Sequence, residues 1–319
     1  MAESNKIRLL AIVGPTASGK SALAVEVAKA LGGEVVSCDS MQIYRRMNIG
    51  TAKPTEEEMG GVVHHLLDVV EPDKPFSVAE YVTVAQNAVA DISSRGKLPI
   101  LCGGTGLYLD ALLRGGFEDT ASDPALRQRL FAYAEEHGAH ALHAWLSEVD
   151  PESAAATHEN NVKRVVRALE IYESTGVTKT EMDRRSRALE SPYDAGVFGL
   201  YYPDRAVLYE RIGRRVEQML ACGLLAETQS LLSEGVFETN ATAAQAIGYK
   251  ELLGYLRGEQ TLEEAAEELK TATRRYAKRQ MTWFSAKEYV EWIDMMEAGK
   301  PRGLASVTSE LLERWTTTN

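Results

Sequence analysis

A glycine-rich segment near the start of the chain constrains its fold more than any other feature. Residues 14–21 read GPTASGKS, which matches the pattern G-x-x-x-x-G-K-[ST], and they stand between the apolar run IRLLAIV and a helical pattern that begins at Lys20. This context predicts a strand, a tight turn and a helix. Backbone N–H groups of such a turn and the N-terminal end of the helix dipole face the same anion. The motif therefore predicts a site for a di- or triphosphate, with ATP as the default ligand.

Several groups of this turn are suited to holding phosphate. Lys20 adds a mobile positive charge, and the Ser21 hydroxyl is expected to hold Mg²⁺, which neutralises phosphate oxygens together with Lys20. The predicted diphosphate-binding residues are Gly14, Thr16, Ala17, Ser18, Gly19, Lys20 and Ser21. The expected metal cofactor is Mg²⁺, with Ser21 as its predicted ligand.

Short apolar runs alternate with helical periodicity over the first 117 residues. The runs are IRLLAIV, EVVSC, HLLDVV and LPILC, and helices are predicted from Lys20 and over residues 78–92. Such alternation is typical of parallel strands crossed by helices, and runs that are apolar on both faces suit a sheet covered on both sides. We therefore predict an α/β fold with a P-loop NTPase-like core built on a parallel sheet.

The strand pattern stops after this first part and returns later. Residues 124–188 have the composition of helices, with Asp123 as the capping residue and Pro124 in the first helical turn. The run AGVFGLYY then predicts a further strand, a long helix is predicted over residues 262–289, and EYVEWID is predicted to be an edge strand. We divide the chain into the first part of the core (1–117), an inserted all-helical domain (118–192), and the core continuation with C-terminal helices (193–319).

Polar side chains follow two of the predicted strands at their carboxyl ends, where open α/β sheets bind their ligands. Asp39 and Ser40 follow EVVSC, and Thr105 lies in the GGTG turn after LPILC. Asp39 is a candidate base, and it is equally suited to capping the following turn or to holding Mg²⁺ through water. The GGTG turn either brings Thr105 to a phosphate or is a tight turn with a capping threonine. Because LPILC ends in Cys102, the acidic strand end of motor ATPases is missing.

Cysteine and histidine do not indicate a metal site. Cys38, Cys102 and Cys222 are too few for a disulfide framework and too widely spaced for a zinc motif, which favours a reducing compartment. His64 and His65 are adjacent, so on a strand they face opposite sides. We predict that both histidines pack and form hydrogen bonds at a strand end.

Charge is unevenly distributed along the chain. With 35 Lys and Arg against 46 Asp and Glu, the net charge of −11 excludes a globally basic nucleic-acid coat protein. Residues 270–287 nevertheless contain no acid and six bases, namely Lys270, Arg274, Arg275, Lys278, Arg279 and Lys287. A second basic group is Lys163, Arg164 and Arg167 in the inserted segment. Two such surfaces could contact one folded nucleic acid through its phosphates, although solvated arginines beside core aromatics would give the same pattern.

No apolar run approaches the roughly 20 residues of a membrane span. The first apolar run, IRLLAIV, passes directly into the glycine-rich turn, which is typical of a core strand and not of a signal peptide. We therefore expect a cytoplasmic protein without a membrane partner, and a monomer.

Eight segments together carry a resemblance to a known family. In order they are GPTASGKS, CDSMQIYRRMNIGTAKP, HHLLDVVEP, GGTGLYLDALLRG, KRVVRALEIYESTG, RIGRRVEQML, AIGYKEL and RRYAKRQMTWF. With these segments the chain closely resembles the tRNA dimethylallyltransferases, also called tRNA isopentenyltransferases. The resemblance implies transfer of a dimethylallyl group from dimethylallyl diphosphate to N6 of the adenosine immediately 3′ of the anticodon, with Mg²⁺ present and diphosphate leaving.

The resemblance also implies roles for particular residues. Asp39 would be the base for the adenine amine, Thr105 would bind near the bridging oxygen, and Arg215, or its neighbour Arg214, would contact the diphosphate. Gln42 would bind a base edge. The inserted helices would grip the anticodon stem-loop, and the helix with KRQxTW would lie on its other side, so the predicted tRNA-binding residues are Gln42, Lys163, Arg164, Arg167, Arg275, Lys278, Arg279 and Gln280.

Two other functions remain compatible with the residues taken alone. The first is a P-loop small-molecule or nucleotide kinase with Asp39 as base and the inserted helices as a lid. The second is a noncatalytic RNA-binding module in which the glycine-rich turn recognises an RNA phosphate.

Overall fold

The computed structural model describes residues 6–115, 123–188 and 190–317 of the chain. The chain forms two compact units. The first comprises Met1–Leu113 with Pro192–Asn319, and the second comprises Arg114–Ser191. The predicted boundary at residues 117 and 118 lies outside the described residues.

Strands and helices alternate in the first part of the chain. The elements are β1 (Ile7–Val13), α1 (Lys20–Leu31), β2 (Glu34–Ser37), α2 (Glu56–Met59), β3 (His64–His65), α3 (Val78–Ser94), β4 (Pro99–Gly103) and α4 (Gly106–Leu113). The second unit contains α5 (Pro124–Val149), α6 (Pro151–Ala155), α7 (Val162–Thr175) and α8 (Lys179–Ala188).

The chain then returns to the first unit, which continues mainly as helices. The elements are β5 (Tyr193–Tyr201), α9 (Arg205–Ala221), α10 (Leu224–Ser233), α11 (Val236–Thr239), α12 (Leu253–Leu256), α13 (Leu262–Ser285), β6 (Val290–Asp294), β7 (Met296–Glu297), β8 (Lys300–Pro301) and α14 (Leu304–Thr317). Two short 3₁₀ helices, Ala243–Gln245 and Lys250–Leu252, precede α12.

A six-stranded sheet with the order β3-β2-β4-β1-β5-β6 organises the first unit, and every neighbouring pair in it is parallel. The predicted α/β fold with a parallel sheet is thereby confirmed, and EYVEWID does form its edge strand. In the register, Val13 faces Gly103 and Ser37 faces Cys102. The turns that follow β1, β2 and β4 therefore emerge side by side at one edge of the sheet.

Both faces of the sheet are covered, as the apolar runs predicted. Along β1, Leu9 and Ala11 belong to one buried cluster, whereas Leu10 and Ile12 belong to another. All four side chains are fully buried. Because residues 9–13 of β1 lie between two cores, this part of the strand is apolar on both faces, and only Arg8 near its start is charged and exposed.

Two predicted elements differ in extent from the observed ones. The run HLLDVV was expected to be a strand, but β3 covers only His64–His65, because Leu66 and Asp68 adopt left-handed φ angles of 62° and 54° that end the extended backbone. The helix predicted over residues 262–289 ends at Ser285. The chain turns there into β6, and the Tyr289 hydroxyl binds Asp110 on α4.

The second unit is helical throughout its described residues and has a core of its own. Asp123 caps α5 as predicted, since its Oδ1 accepts hydrogen bonds from the backbone N–H of Ala125 and of Leu126, both at 3.0 Å. Leu126, Leu142, Leu146, Val165 and Leu169 are among the residues of the buried cluster. Gly138, with φ of 87°, interrupts α5. Within the described part of the chain, no helix is both long and apolar enough to cross a membrane.

A buried carboxylate anchors the start of the strand that leads to Asp39. Glu34 opens β2 with a side chain only 3% exposed, and it accepts hydrogen bonds from Arg95 at 2.6 and 2.7 Å and from Lys97 at 2.7 Å. These bonds, with Arg95 contributing most, lower the pKa of Glu34 far below its usual range. Arg95 and Lys97 are partly exposed, and Arg95 keeps its pair with Asp91 at 2.8 Å, so their charges stay partly compensated without Glu34. The loss of charge-assisted hydrogen bonds to a buried group is then expected to lower the free energy of unfolding of Glu34→Gln by about 2 kcal/mol at neutral pH.

Urea unfolding of both proteins across a pH series measures this effect. A depressed folded-state pKa gives stability that is present above the unfolded value of about 4.3 and is lost as the pH falls. The gap between wild type and Glu34→Gln should therefore close in acid. The matched control is Glu26→Gln, which removes an exposed pair with Lys29 at 3.1 Å and should change stability by less than about 1 kcal/mol. A gap that persists unchanged at low pH would contradict the electrostatic explanation.

Candidate active site

The glycine-rich turn has the predicted strand-turn-helix arrangement. It leaves β1 at Val13 and enters α1 at Lys20. Gly14 has a φ of 138°, and a Cβ at this position would lie 2.7 Å from the carbonyl oxygen of Leu200 on β5. Glycine is therefore required both by the backbone angle and by the close approach of the neighbouring strand. Gly19, with φ of 99°, closes the turn at the N-cap of α1.

Lys20 lies at the centre of this turn with its charge poorly hydrated. Its Nζ donates a hydrogen bond to the Pro15 carbonyl at 2.6 Å. Burial lowers the pKa of Lys20 to about 8, an effect that nearby Arg215 increases and that Cys102 and Asp39 oppose. An anion bound here would stabilise the protonated amine, because a desolvated charge interacts strongly with an opposite one.

Arg215 lies beside the turn, and its neighbour Arg214 does not. The Arg215 guanidinium is 3.5 Å from the Thr16 hydroxyl, and burial lowers its pKa. Arg214 is exposed and pairs with Glu210 at 2.8 Å. Of the two arginines considered from sequence, only Arg215 is therefore placed to contact a ligand of the glycine-rich turn.

Arg211 is a further cation at this turn that sequence reasoning missed. Its Nε donates to the Ala17 carbonyl at 2.9 Å, and its guanidinium lies 5.6 Å from the centre of the Tyr202 ring. Residues four apart on a helix share a face, so the spacing between Arg211 and Arg215 was the signal that could have indicated it.

Asp39 and Thr105 come together between β2 and β4. Oδ1 of Asp39 accepts hydrogen bonds from the backbone N–H groups of Met41 at 2.8 Å and Gln42 at 3.3 Å. The Thr105 hydroxyl accepts one from the Ser40 N–H at 3.0 Å. Asp39 thus caps the turn that follows it, as one alternative predicted, whereas the Thr105 hydroxyl joins its own turn to the turn after β2. Among the described residues none donates a hydrogen bond to Oδ2 of Asp39, so this oxygen keeps its capacity to accept a proton.

A cavity of about 540 Å³ connects these groups. Its polar lining includes Lys20, Ser21, Asp39, Gln42, Arg215 and Arg279. Its apolar lining includes Leu67, Ile212, Val216, Met219, Ile247 and Leu269. Of the predicted catalytic and diphosphate-binding residues, Asp39, Arg215, Thr16, Lys20 and Ser21 therefore share one cavity with an apolar wall, whose residues the sequence did not indicate. Thr105 and the other residues of the glycine-rich turn do not line it.

Two predicted RNA-contacting glutamines are already engaged by the protein. Gln42 donates to the carbonyls of Thr51 and Ala52 at 3.2 and 3.1 Å. Gln280 is buried; its Oε1 accepts from the Thr16 N–H at 2.8 Å, and its Nε2 donates to the Gly104 carbonyl at 3.0 Å. Both side chains hold loops of the cavity in place. Their contacts with RNA stay predictions.

The basic residues of α13 fall into two groups. Arg275, Lys278 and Arg279 are exposed, and none of them forms an ion pair with another described residue. The others are engaged: Lys270 pairs with Glu217 and Glu267, Arg274 binds Thr271, and Lys287 binds Asp110. The three free cations are the ones predicted to bind tRNA, and that role stays a prediction.

The basic residues of α7 divide in the same way. Lys163 and Arg164 are exposed and lack an ion pair among the described residues. Arg167 instead binds Glu170 at 2.9 Å, and this buried carboxylate also accepts from Arg127 at 2.8 Å. Arg167 is therefore committed to an internal ion pair, whereas Lys163 and Arg164 remain accessible.

His64 and His65 form hydrogen bonds at the end of a strand, as the sequence predicted. His64 bonds to the Val62 carbonyl at 2.9 Å and His65 to Glu34 at 2.7 Å. Within residues 6–115, 123–188 and 190–317, no cluster of three or more His, Cys, Asp or Glu could hold a metal by itself. Burial raises the pKa of Cys38 to about 12 and that of Cys102 to about 11, so both thiols are protonated at neutral pH and no catalytic role is assigned to them.

Comparisons with known proteins agree with one another. A family model described as IPP transferase matches residues 42–287. The chain is 49% identical over 288 residues to a tRNA dimethylallyltransferase of Caldanaerobacter subterraneus, covering 90% of this chain and 91% of that protein. It is 50% identical over 294 residues to one of Geobacillus thermodenitrificans, covering 92% of both chains.

Solved structures give the same result. The crystal structure of a full-length tRNA isopentenylpyrophosphate transferase from Bacillus halodurans matches with a TM-score of 0.70 and 46% identity, covering 97% of both chains. A eukaryotic dimethylallyltransferase acting on tRNA matches with a TM-score of 0.80 and 29% identity, covering 98% of this chain and 80% of that chain. The matched model covers most of the chain and the tRNA dimethylallyltransferases are about 50% identical to it over nine-tenths of its length, so the chain belongs to the IPP transferase family.

Proposed function

We propose that the protein transfers a dimethylallyl group from dimethylallyl diphosphate to N6 of the adenosine immediately 3′ of the anticodon in tRNA and releases diphosphate. The observation that carries the proposal is the shared cavity, in which Lys20 and Arg215 lie with the Asp39 carboxylate beside an apolar wall. Cations suit a diphosphate leaving group, a carboxylate suits a proton, and the apolar wall suits a five-carbon chain. The close relatives carry the corresponding name.

Breaking the allylic C–O bond leaves the bonding electron pair on a diphosphate oxygen. Groups that are already oriented toward this charge stabilise the transition state without reorganising, and they act more strongly away from water. We assign this role to Lys20 and Arg215, whose side chains lie at the glycine-rich turn. For Thr105, which lies in the turn after β4, we propose a contact near the bridging oxygen.

The N6 amine of adenine attacks the allylic carbon and must lose a proton as the C–N bond forms. Asp39 is our candidate for the base, with Oδ2 as the accepting oxygen, because Oδ1 is held by the N–H groups of Met41 and Gln42. Fixing one oxygen orients the other, which is the geometry that a general base requires.

The site residues also fit Mg²⁺. The Ser21 hydroxyl and the Asp39 carboxylate line the same cavity, and Mg²⁺ takes hard oxygen ligands, commonly one or two from protein together with substrate phosphates. When bound, the ion would neutralise charge on the diphosphate oxygens. Ser21 is the residue that we propose as its direct ligand, and Asp39 could reach it through water.

Recognition of tRNA is proposed for two sets of cations, each described on its own unit. Arg275, Lys278 and Arg279 project from α13, and Arg279 also lines the cavity. Lys163 and Arg164 project from α7. The target adenosine must leave its stack to enter the cavity, at a cost of a few kcal/mol that contacts to the RNA backbone can offset.

A small-molecule or nucleotide kinase is the less favoured function. If the chain were a kinase, we would expect its relatives to be kinases, whereas the relatives that match it are tRNA dimethylallyltransferases. Incubation of the purified protein with dimethylallyl diphosphate, Mg²⁺ and an unmodified anticodon hairpin, followed by mass spectrometry of the nucleosides, tests the proposal directly. An adenosine heavier by one dimethylallyl group is expected; phosphate transfer from ATP with no such product would overturn it.

Asp39→Asn tests the base. We expect prenyl transfer to fall by about 10²- to 10⁴-fold, because the amide keeps the turn-capping oxygen but cannot accept the proton. Single-turnover rates and hairpin binding should be measured on the same preparation, and binding should be retained. Transfer at a near-normal rate would refute the base assignment.

Arg215→Gln tests the leaving-group contact, with Arg214→Gln as the matched control one residue away. We expect kcat/KM for dimethylallyl diphosphate to fall about 10²- to 10³-fold in Arg215→Gln, since one preorganised contact to developing charge is removed. The control removes only an exposed pair with Glu210 and should stay within about twofold of wild type. Equal losses of kcat/KM in the two variants would contradict a specific contact between Arg215 and the leaving diphosphate.

Neutralising Arg275 and Arg279 together tests the RNA surface of α13. Each lost phosphate contact lowers the slope of log K against log salt by about 0.7 to 0.9, so the double Gln variant should bind the hairpin more weakly and with a slope smaller by about 1.5. Binding isotherms over a salt series give the slope. Lys29→Gln with Lys300→Gln, two exposed residues on other elements, serves as control. An unchanged slope would mean that α13 does not contact the RNA.

A further inference from the structure

One face of α13 is packed against the turn that follows β4. Tyr276, Gln280 and Trp283 are spaced four and three residues apart, so they share that face. Tyr276 lies beside Thr105, and a Cβ added to Gly104 or to Gly106 would overlap Gln280 or Trp283, respectively. Three successive residues of the turn, 104–106, are thus each in contact with a different side chain of α13.

Gln280 extends this contact to the phosphate-binding turn. Its amide accepts a hydrogen bond from the Thr16 N–H at 2.8 Å and donates one to the Gly104 carbonyl at 3.0 Å, and its side chain is 5% exposed. An amide carries both a donor and an acceptor, whereas a carboxylate only accepts and an ammonium only donates. Gln280 is therefore the residue that ties the two turns to each other and to α13.

Arg275, Lys278 and Arg279 of α13 are exposed and form no ion pair with another described residue. Arg279 lies next to the packed face, since its guanidinium is 5.5 Å from the centre of the Tyr276 ring and it also lines the cavity. Arg279 and Gln280 are adjacent in sequence. Anything that restrains the exposed cations therefore restrains the backbone that carries the Gln280 side chain. The helix is a rigid connection between a charged surface and the two turns beside the cavity.

We propose that Gln280 is a positioning residue that couples occupancy of the phosphate-binding turn to RNA binding on α13. The inference rests on the proposed function, since it takes the turn as the diphosphate site and α13 as an RNA contact. RNA held by the exposed cations restrains α13, and through Gln280 it holds Thr16 and Gly104 in the positions that receive diphosphate. The loops are then ordered by the first ligand, so the second loses less conformational freedom on binding. Coupling of this kind is reciprocal.

The experiment measures the affinity of a fluorescent anticodon hairpin by anisotropy in Mg²⁺ buffer, with and without saturating inorganic diphosphate. For the wild type we expect diphosphate to tighten hairpin binding about fivefold or more. The quantity compared is the ratio of the hairpin Kd without diphosphate to the Kd with diphosphate. Gln280→Met, which conserves side-chain length and removes both hydrogen bonds, should bring this ratio close to one. Gln280→Glu keeps the acceptor for Thr16 but opposes the Gly104 carbonyl with a carboxylate oxygen, so its ratio should fall as well.

Arg275→Gln is the matched control on the same helix. It should weaken hairpin binding equally in both conditions and leave the ratio at the wild-type value, because it removes a cation without touching the link between the turns. A thermal melt of each variant shows that it is folded, and if Gln280→Met does not fold, Gln280→Glu decides. A wild-type ratio in a folded Gln280 variant overturns the proposal.

The outcomes separate this inference from the proposed function. Failure of the wild-type protein to bind either the hairpin or diphosphate would contradict the function itself. Binding of both ligands with a ratio of one in the wild type would leave the function standing and overturn the coupling.

Discussion

Two partly desolvated cations, Lys20 and Arg215, face one cavity without a carboxylate partner among the described residues. Burying charge is unfavourable, and burial lowers the pKa of both groups. In the described part of the chain, the hydrogen-bond partners of these charges are a backbone carbonyl for Lys20 and a hydroxyl for Arg215. Such partners satisfy hydrogen bonds but do not neutralise charge. The site is therefore electrostatically incomplete until an anion binds, and the rest of the fold holds it in that condition.

The sheet is what makes this arrangement possible. Because β1 lies between β4 and β5 and every strand is parallel, the turns after β1, β2 and β4 reach the same edge. Each turn contributes different groups: the glycine-rich turn carries Lys20, the second turn the carboxylate of Asp39 and the third the hydroxyl of Thr105. Helix α9 then brings Arg211 and Arg215 to the first turn, although Arg215 lies 199 residues after Thr16 in the sequence.

Features decided by neighbouring residues were predictable from sequence, and those decided by distant contacts were not. The turn between β1 and α1 and the capping of α5 by Asp123 follow from local backbone chemistry. The early end of β3 does not, because Asp68 leaves the extended conformation while its carboxylate pairs with Lys53 at 2.6 Å. Arg211 was missed for the same reason, since its partner is the carbonyl of Ala17, 194 residues earlier. Gln280 was predicted to contact RNA from its place in the KRQxTW motif. The motif does not indicate its hydrogen bonds to Thr16 and Gly104, because both partners lie far away in the sequence.

The proposed chemistry gives a reason for joining those turns to a helix that we propose to contact RNA. An allylic diphosphate that ionises without an acceptor beside it is captured by water, and the donor is lost. Excluding water and withholding the complete leaving-group site until the acceptor is present both limit this side reaction. The apolar wall formed by residues such as Val216, Met219 and Leu269 serves the first purpose. If RNA binds the exposed cations of α13 as proposed, the contacts of Gln280 with Thr16 and Gly104 would serve the second purpose, because the acceptor would then help to organise the groups that activate the donor.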